Sequence, residues 1–167
     1  ISMGGLTGQW LAINCAERFN HIVVCNTAAK IGNQQAWLER AELVRAQGMG
    51  PVADSAASRW FTTAYCEQHA DKVNPLIETL RATSAEGYAK CCEVLADADV
   101  RAELASAQVP LTSIGGEFDP VTTVADAQWI ADQVAGATVV SVPASHISNI
   151  EAETQFTAAI TEVLQQS

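Results

Sequence analysis

The chain has 167 residues, of which 49% are hydrophobic and 17% charged, with a formal net charge of −10. This composition excludes intrinsic disorder and suits a domain with a real core, and no apolar run approaches the ~20 residues of a membrane span. The charge argues against nucleic acid or an anionic membrane as partner, and an anionic small substrate would need a local cation. No signal-peptide pattern is expected within these residues, and five cysteines (Cys15, Cys25, Cys66, Cys91, Cys92) form an odd set without a C-x-x-C pair. Free thiols in a reducing cytoplasm are the reading this pattern supports.

The chain opens Ile1-Ser2-Met3-Gly4-Gly5. This is Gly-x-Ser-x-Gly without its first glycine, the strand-to-helix turn that lifts a serine hydroxyl out at a sheet's top edge. Leu6, Trp10, Leu11, Ile13 and Cys15 then predict a helix between Gly4 and Phe19, buried on that side. His21–Cys25 is a short β-branched run and reads as a buried strand. Residues 27–107 carry no convincing strand. Helical spacing predicts helices over Gln34–Gln47 and Lys72–Ala82, and Thr83-Ser84-Ala85-Glu86 suggests a capping box opening a third through Tyr88, Cys92 and Leu95. Gly48–Pro51 and Phe61–Thr63 read as breaks. Beyond them, Val109–Gly115 and Ala137–Val142 read as strands. Thr123–Val134, with Thr123 as N-cap, and Glu151–Leu164 read as helices. Strand-helix-strand-helix predicts a parallel sheet with functional loops at the strands' carboxyl ends.

Three residues fall at those ends: Ser2 at the turn, Asp119 in the loop Gly116–Pro120, and His146 in the loop Pro143–His146. Serine is a weak nucleophile at its free pKa, so an imidazole must take its proton as attack begins. Histidine can return that proton to the leaving oxygen, and a carboxylate orients the imidazole. The backbone N–H of Met3, next after the serine, is a candidate oxyanion-hole donor. The order Ser…Asp…His matches that of an α/β-hydrolase triad. His21 and His69 follow no strand. No metal or organic cofactor motif is visible.

Ser2–Trp10, Cys25–Gly32, Arg59–Thr62, Glu86–Tyr88 with Cys91–Glu93, and Ser145–Asn149 together resemble the 3-oxoadipate enol-lactonases. The resemblance implies Ser2, Asp119 and His146 as triad and residues 27–107 as a helical cap over the active site. It divides the chain into 1–26 (turn, helix and strand of the hydrolase core), 27–107 (cap) and 108–167 (C-terminal core). The implied activity is ester hydrolysis in aromatic catabolism, opening an anionic enol-lactone to 3-oxoadipate. Among nine basic residues, Arg40 and Arg59 stand near Trp37 and Trp60 in sequence, so these four are candidates for binding the substrate and its carboxylate. The expected fold is the C-terminal part of an α/β-hydrolase, its last three parallel strands with a cap. The preceding strands are expected to be absent, so that the fragment alone would be inactive or would associate with its missing N-terminal part. Another capped α/β-hydrolase, such as a carboxylesterase or a perhydrolase-like enzyme, and a ligand-binding hydrolase fragment are the alternatives.

Overall fold

The β-branched run after His21 forms strand β1 (Ile22–Cys25). It pairs in parallel with β2 (Leu111–Gly116), and β2 pairs in parallel with β3 (Thr138–Val142), giving the order β1-β2-β3. Every residue of β2 is buried, as expected for the central strand of a sheet covered on both faces. The register sets Val24 opposite Ser113 and Ile114 opposite Val140. All three strands lie within about two residues of the segments predicted from sequence. The computed structural model describes residues 1–166. They divide into two units, Ile1–Ile31 together with the chain from Asp99 on, and Gly32–Ala98.

In the first unit, helix α1 (Met3–Asn14) packs on β1 by a face the apolar pattern did not indicate. Its buried residues are Gly5, Leu6, Gln9 and Ala12, whereas Trp10 is 49% exposed. The reason is close approach. A Cβ on Gly5 would stand 2.6 Å from Thr27 Cβ, and one on Gly8 would stand 3.1 Å from Val24 Cγ1. Small residues therefore let the helix axis lie close to the strand, and the bulky apolar residues are turned aside. The other face of the sheet carries an apolar cluster of Cys25, Ile114, Val142, Ala144, Ala152 and Ala159, joined by Phe156 and Ile160.

The second unit is all-helical: α2 (Gln34–Gln47), α3 (Gly50–Asp54), α4 (Ala57–Trp60), α5 (Thr63–Gln68), α6 (Ala70–Arg81) and α7 (Ala85–Asp97). Helix α2 matches its predicted span, while the segment between Pro51 and His69 forms three short helices that periodicity was too brief to reveal. The cap of α7 differs from expectation. Ser84, not Thr83, accepts from Gly87 N at 3.2 Å, and Glu86 pairs with Arg45 instead of completing a capping box. Ala41, Val44, Met49, Val52, Ala89 and Cys92 make this unit's core.

Back in the first unit, α8 (Val124–Gln133) does open on a full capping box between Thr123 and Asp126. The last predicted helix is interrupted at Ala152, giving a single turn α9 (Ser148–Glu151) and then α10 (Glu153–Gln166). No described helix is long and apolar enough to cross a membrane.

Candidate active site

Ser2 is the N-cap of α1, with φ 53° and ψ −122°. Its N–H is shared between the carbonyls of Cys25 (3.1 Å) and Asn26 (2.9 Å) at the end of β1. Its own carbonyl accepts from Thr27 Oγ1 at 2.7 Å and from Leu6 N at 3.0 Å. Among the described residues, Ser2 and Asn26 are the two non-glycine positions with positive φ, at 53° and 42°. Such backbone costs on the order of 1–3 kcal/mol per residue and survives where surrounding bonds over-determine it. Here the two strained residues are bonded to each other. Met3 is the first residue of α1, in the turn whose amides have no intrahelical acceptor.

The loops after β2 and β3 are laced together. Glu117 N donates to Val142 O and Phe118 N to Ala144 O, both at 3.0 Å. Gly116 makes this approach feasible, since a Cβ there would lie 2.5 Å from the carbonyl oxygens of both Ala144 and Ser145. The lacing brings His146 Nδ1 to 2.8 Å from Asp119 Oδ2, with both residues buried. Because the carboxylate only accepts, the imidazole proton sits on Nδ1, leaving Nε2 to exchange a proton with a nucleophile.

Asp119 takes four more hydrogen bonds. Oδ1 accepts from the amides of Val121 (2.8 Å) and Thr122 (3.1 Å), and Oδ2 from Thr122 Oγ1 (2.9 Å) and Asn26 Nδ2 (3.0 Å). Burial pushes its carboxyl up, but the hydrogen bond and charge of His146, with the Asn26 and Thr122 donors, outweigh this and hold it below its ordinary value. At the residue before the histidine, Ser145 N donates to Glu151 Oε2 at 2.8 Å.

The structure thus joins Asp119 to His146 directly, and Ser2 to that pair through Asn26. Sequence reasoning passed over Asn26, although the signal that singled out Asp119 and His146, a polar residue just past a strand's carboxyl end, also applies to it.

The remaining candidates lie in the helical unit. The Arg40 guanidinium stacks 4.9 Å from the centroid of the Trp37 ring. Burial pushes the Tyr88 hydroxyl above its ordinary value, and the nearby charge of Arg40 partly offsets this. Arg59 is half-buried and donates from Nη2 to Val52 O at 3.3 Å. Burial, and next the positive charge of Arg40, push its guanidinium below its ordinary value. Trp37, Arg40, Arg59 and Tyr88 are therefore neighbours, while Trp60 ends α4, half-buried.

No family model matches the chain. It is 52% identical over 99% of its length to 3-oxoadipate enol-lactonase 2 of Acinetobacter baylyi, and 42% identical over 93% to that organism's 3-oxoadipate enol-lactonase 1. The chain spans 62% and 59% of the length of these two relatives. The crystal structure of the enol-lactonase from Burkholderia xenovorans superposes with a TM-score of 0.96 at 40% identity, covering 99% of this chain and 64% of that one. The chain has the fold of the C-terminal part of an α/β-hydrolase, and its sequence is similar along nearly its whole length to the enol-lactonases.

Proposed function

We propose that this chain carries the serine, histidine and aspartate of an ester hydrolase that opens 3-oxoadipate enol-lactone. The observation that carries the reading is the buried His146–Asp119 pair at 2.8 Å, one residue, Asn26, away from a serine held in strained backbone at a strand end. The whole-length similarity to enol-lactonases supports the substrate.

In the proposed reaction Ser2 Oγ attacks the lactone carbonyl as its proton passes to His146 Nε2. The Met3 amide donates to the developing oxyanion, a contribution commonly of ~3–4 kcal/mol. The ring C–O bond then breaks, and the enolate oxygen receives the proton from His146 and ketonises. The acyl group remains esterified to Ser2. Water, deprotonated by His146, attacks this ester; its proton returns to Ser2 Oγ, and the product leaves with a second carboxylate. Asp119 stabilises the imidazolium in both halves without itself being protonated.

The substrate's carboxylate requires a cation in a protein of net charge −10. Arg40 and Arg59, neighbours within the helical unit, are the candidates proposed for that cation, with Trp37 and Trp60 as candidate apolar residues. Arg40→Gln and Arg59→Gln would each raise KM for the anionic lactone roughly 10- to 100-fold, the effect of losing one charged hydrogen bond, and leave KM for a neutral aryl ester unchanged.

The β1 edge remote from β2 is unpaired among the described residues and is suited to a further parallel strand. We therefore also propose that full turnover requires the rest of the hydrolase fold. The test measures kcat/KM for the enol-lactone and a neutral aryl ester, with and without the segment of the Acinetobacter relative outside the matched region. Lactone preference that rises on adding the segment supports both statements. Preference for the aryl ester indicates a general carboxylesterase, and full activity of a monodisperse 17.7 kDa chain removes the need for a partner segment.

A further inference from the structure

We propose that Asn26 is the positioning residue that locks the Asp119–His146 pair to the serine turn. Its side chain is buried, 1% exposed, and uses both ends of its amide. Nδ2 donates to Asp119 Oδ2 at 3.0 Å and to the carbonyl of Ser145, the residue before His146, at 3.1 Å. Oδ1 accepts from Ser148 Oγ at 2.5 Å, which ties in the first turn of α9, two residues past His146. Its backbone serves two further partners: the N–H donates to Ile114 O at 2.8 Å, continuing the ladder to β2, while its carbonyl accepts from Ser2 N. One residue therefore touches the aspartate, both flanks of the histidine and the backbone of the serine.

The residue type follows from these demands. The positive φ of 42° is tolerated by asparagine far better than by branched or bulky residues. Only a carboxamide offers a donor to one carboxylate and one carbonyl while accepting a hydroxyl hydrogen bond. Aspartate has the shape without the donor, and glycine has the backbone freedom without either group. The space is tight as well, since Asn26 Nδ2 lies 2.9 Å from where a Cβ on Gly116 would stand. Thr122 Oγ1 is also bonded to Asp119 Oδ2, so the oxygen facing His146 is fixed from two sides.

This role rests on the triad proposed above, and its test reads the His146–Asp119 pair directly, whether or not a lactone is hydrolysed. In the unaltered chain, NMR should show a far-downfield His146 Nδ1 proton and slowly exchanging Asn26 side-chain amide protons. The shifts of those amide protons should follow the titration of the Asp119 carboxyl. In Asn26→Asp the donor becomes an acceptor beside Asp119, so the Asp119 titration moves upward by at least one pH unit and the downfield proton shifts or broadens. Asn26→Gly, which accepts the backbone angle, should show the same loss of the downfield proton with its circular dichroism unchanged. In the lactone assay, Asn26→Gly lowers kcat with little change in KM.

Rapid exchange of the Asn26 amide in the unaltered chain, or an unmoved Asp119 titration in a folded variant, overturns the proposal. Normal NMR behaviour of the pair, with no lactone hydrolysis even when the segment outside the matched region is supplied, would instead reject the functional reading and leave the positioning role standing.

Discussion

Both units carry ion pairs on their surfaces, Lys30 and Arg101 with Asp99 in the first, but among the described residues the first unit alone also holds a buried one. Around Asp119, one buried carboxylate takes five hydrogen bonds from four residues, and its histidine partner is buried too. In Gly32–Ala98 the ion pairs lie on the surface: Arg45 spans Glu86 and Glu93, and Arg81 spans Asp54 and Glu78. Exposed pairs are screened by water and salt and contribute little to stability. A buried carboxylate that loses its donors keeps the cost of desolvation. The contrast teaches where a change should be felt: in the first unit a single atom matters, and in the helical unit the apolar core matters more than the charges.

The largest expected effect is on chemistry. Ser2→Ala should lower turnover roughly 10⁴- to 10⁶-fold, since nucleophile, base and orienting acid act as a unit, with the far-UV circular dichroism unchanged. Asp119→Asn should cost about 10⁴-fold in kcat, because an amide there no longer selects the imidazole tautomer.

Two glycines sharpen the comparison between the units. Gly116→Ala drives a Cβ into the carbonyls of Ala144 and Ser145, and Gly48→Ala meets nothing within 4 Å but must adopt φ 72°, ψ −168°. Each should destabilise the protein by about 1–3 kcal/mol in urea unfolding. Only Gly116→Ala should also lower kcat, by roughly 10²-fold, since it shifts the histidine loop. Equal kcat losses in the two variants would break the distinction.

The smallest effect is in pH dependence. Asp119 has its carboxyl held below the ordinary value, so its stabilisation is full above the unfolded pKa near ~4 and is lost as pH falls through the folded value. Glu86 and Glu93 are also held down, by hydrogen bonds from Arg45 and Lys90. Melting temperatures measured between about pH 5 and pH 2 should fall in both cases. High salt should flatten the surface contribution, and Asp119→Asn should remove the salt-insensitive remainder. A decline abolished entirely by salt would place no stability in the buried carboxylate.

Most of the frame was legible before the structure because it rests on local signals. The β-branched run at Ile22–Cys25, the alternation after residue 108 and the Thr123 cap each follow from a few adjacent residues. The His146–Asp119 contact was legible as chemistry, through residue type and position after parallel strands. What escaped depends on residues distant in sequence. The face α1 buries is set by where Gly5 and Gly8 meet Thr27 and Val24, so summed hydrophobicity pointed to the wrong stripe. Asn26 escaped because its bonds reach across 93 and 122 positions to Asp119 and Ser148, and nothing beside it in the chain announces either partner. The short helices between Pro51 and His69 escaped because four to six residues hold too little periodicity.

The central claim is that Ser2 is the nucleophile served by His146 and Asp119. It is tested most directly by acid-quenching the protein during lactone turnover and mapping covalent mass by peptide mass spectrometry. The account predicts an adduct of one whole substrate molecule on the peptide bearing Ser2, absent in Ser2→Ala and reduced in Asp119→Asn. An adduct on a different residue, or turnover that persists in Ser2→Ala, would contradict it.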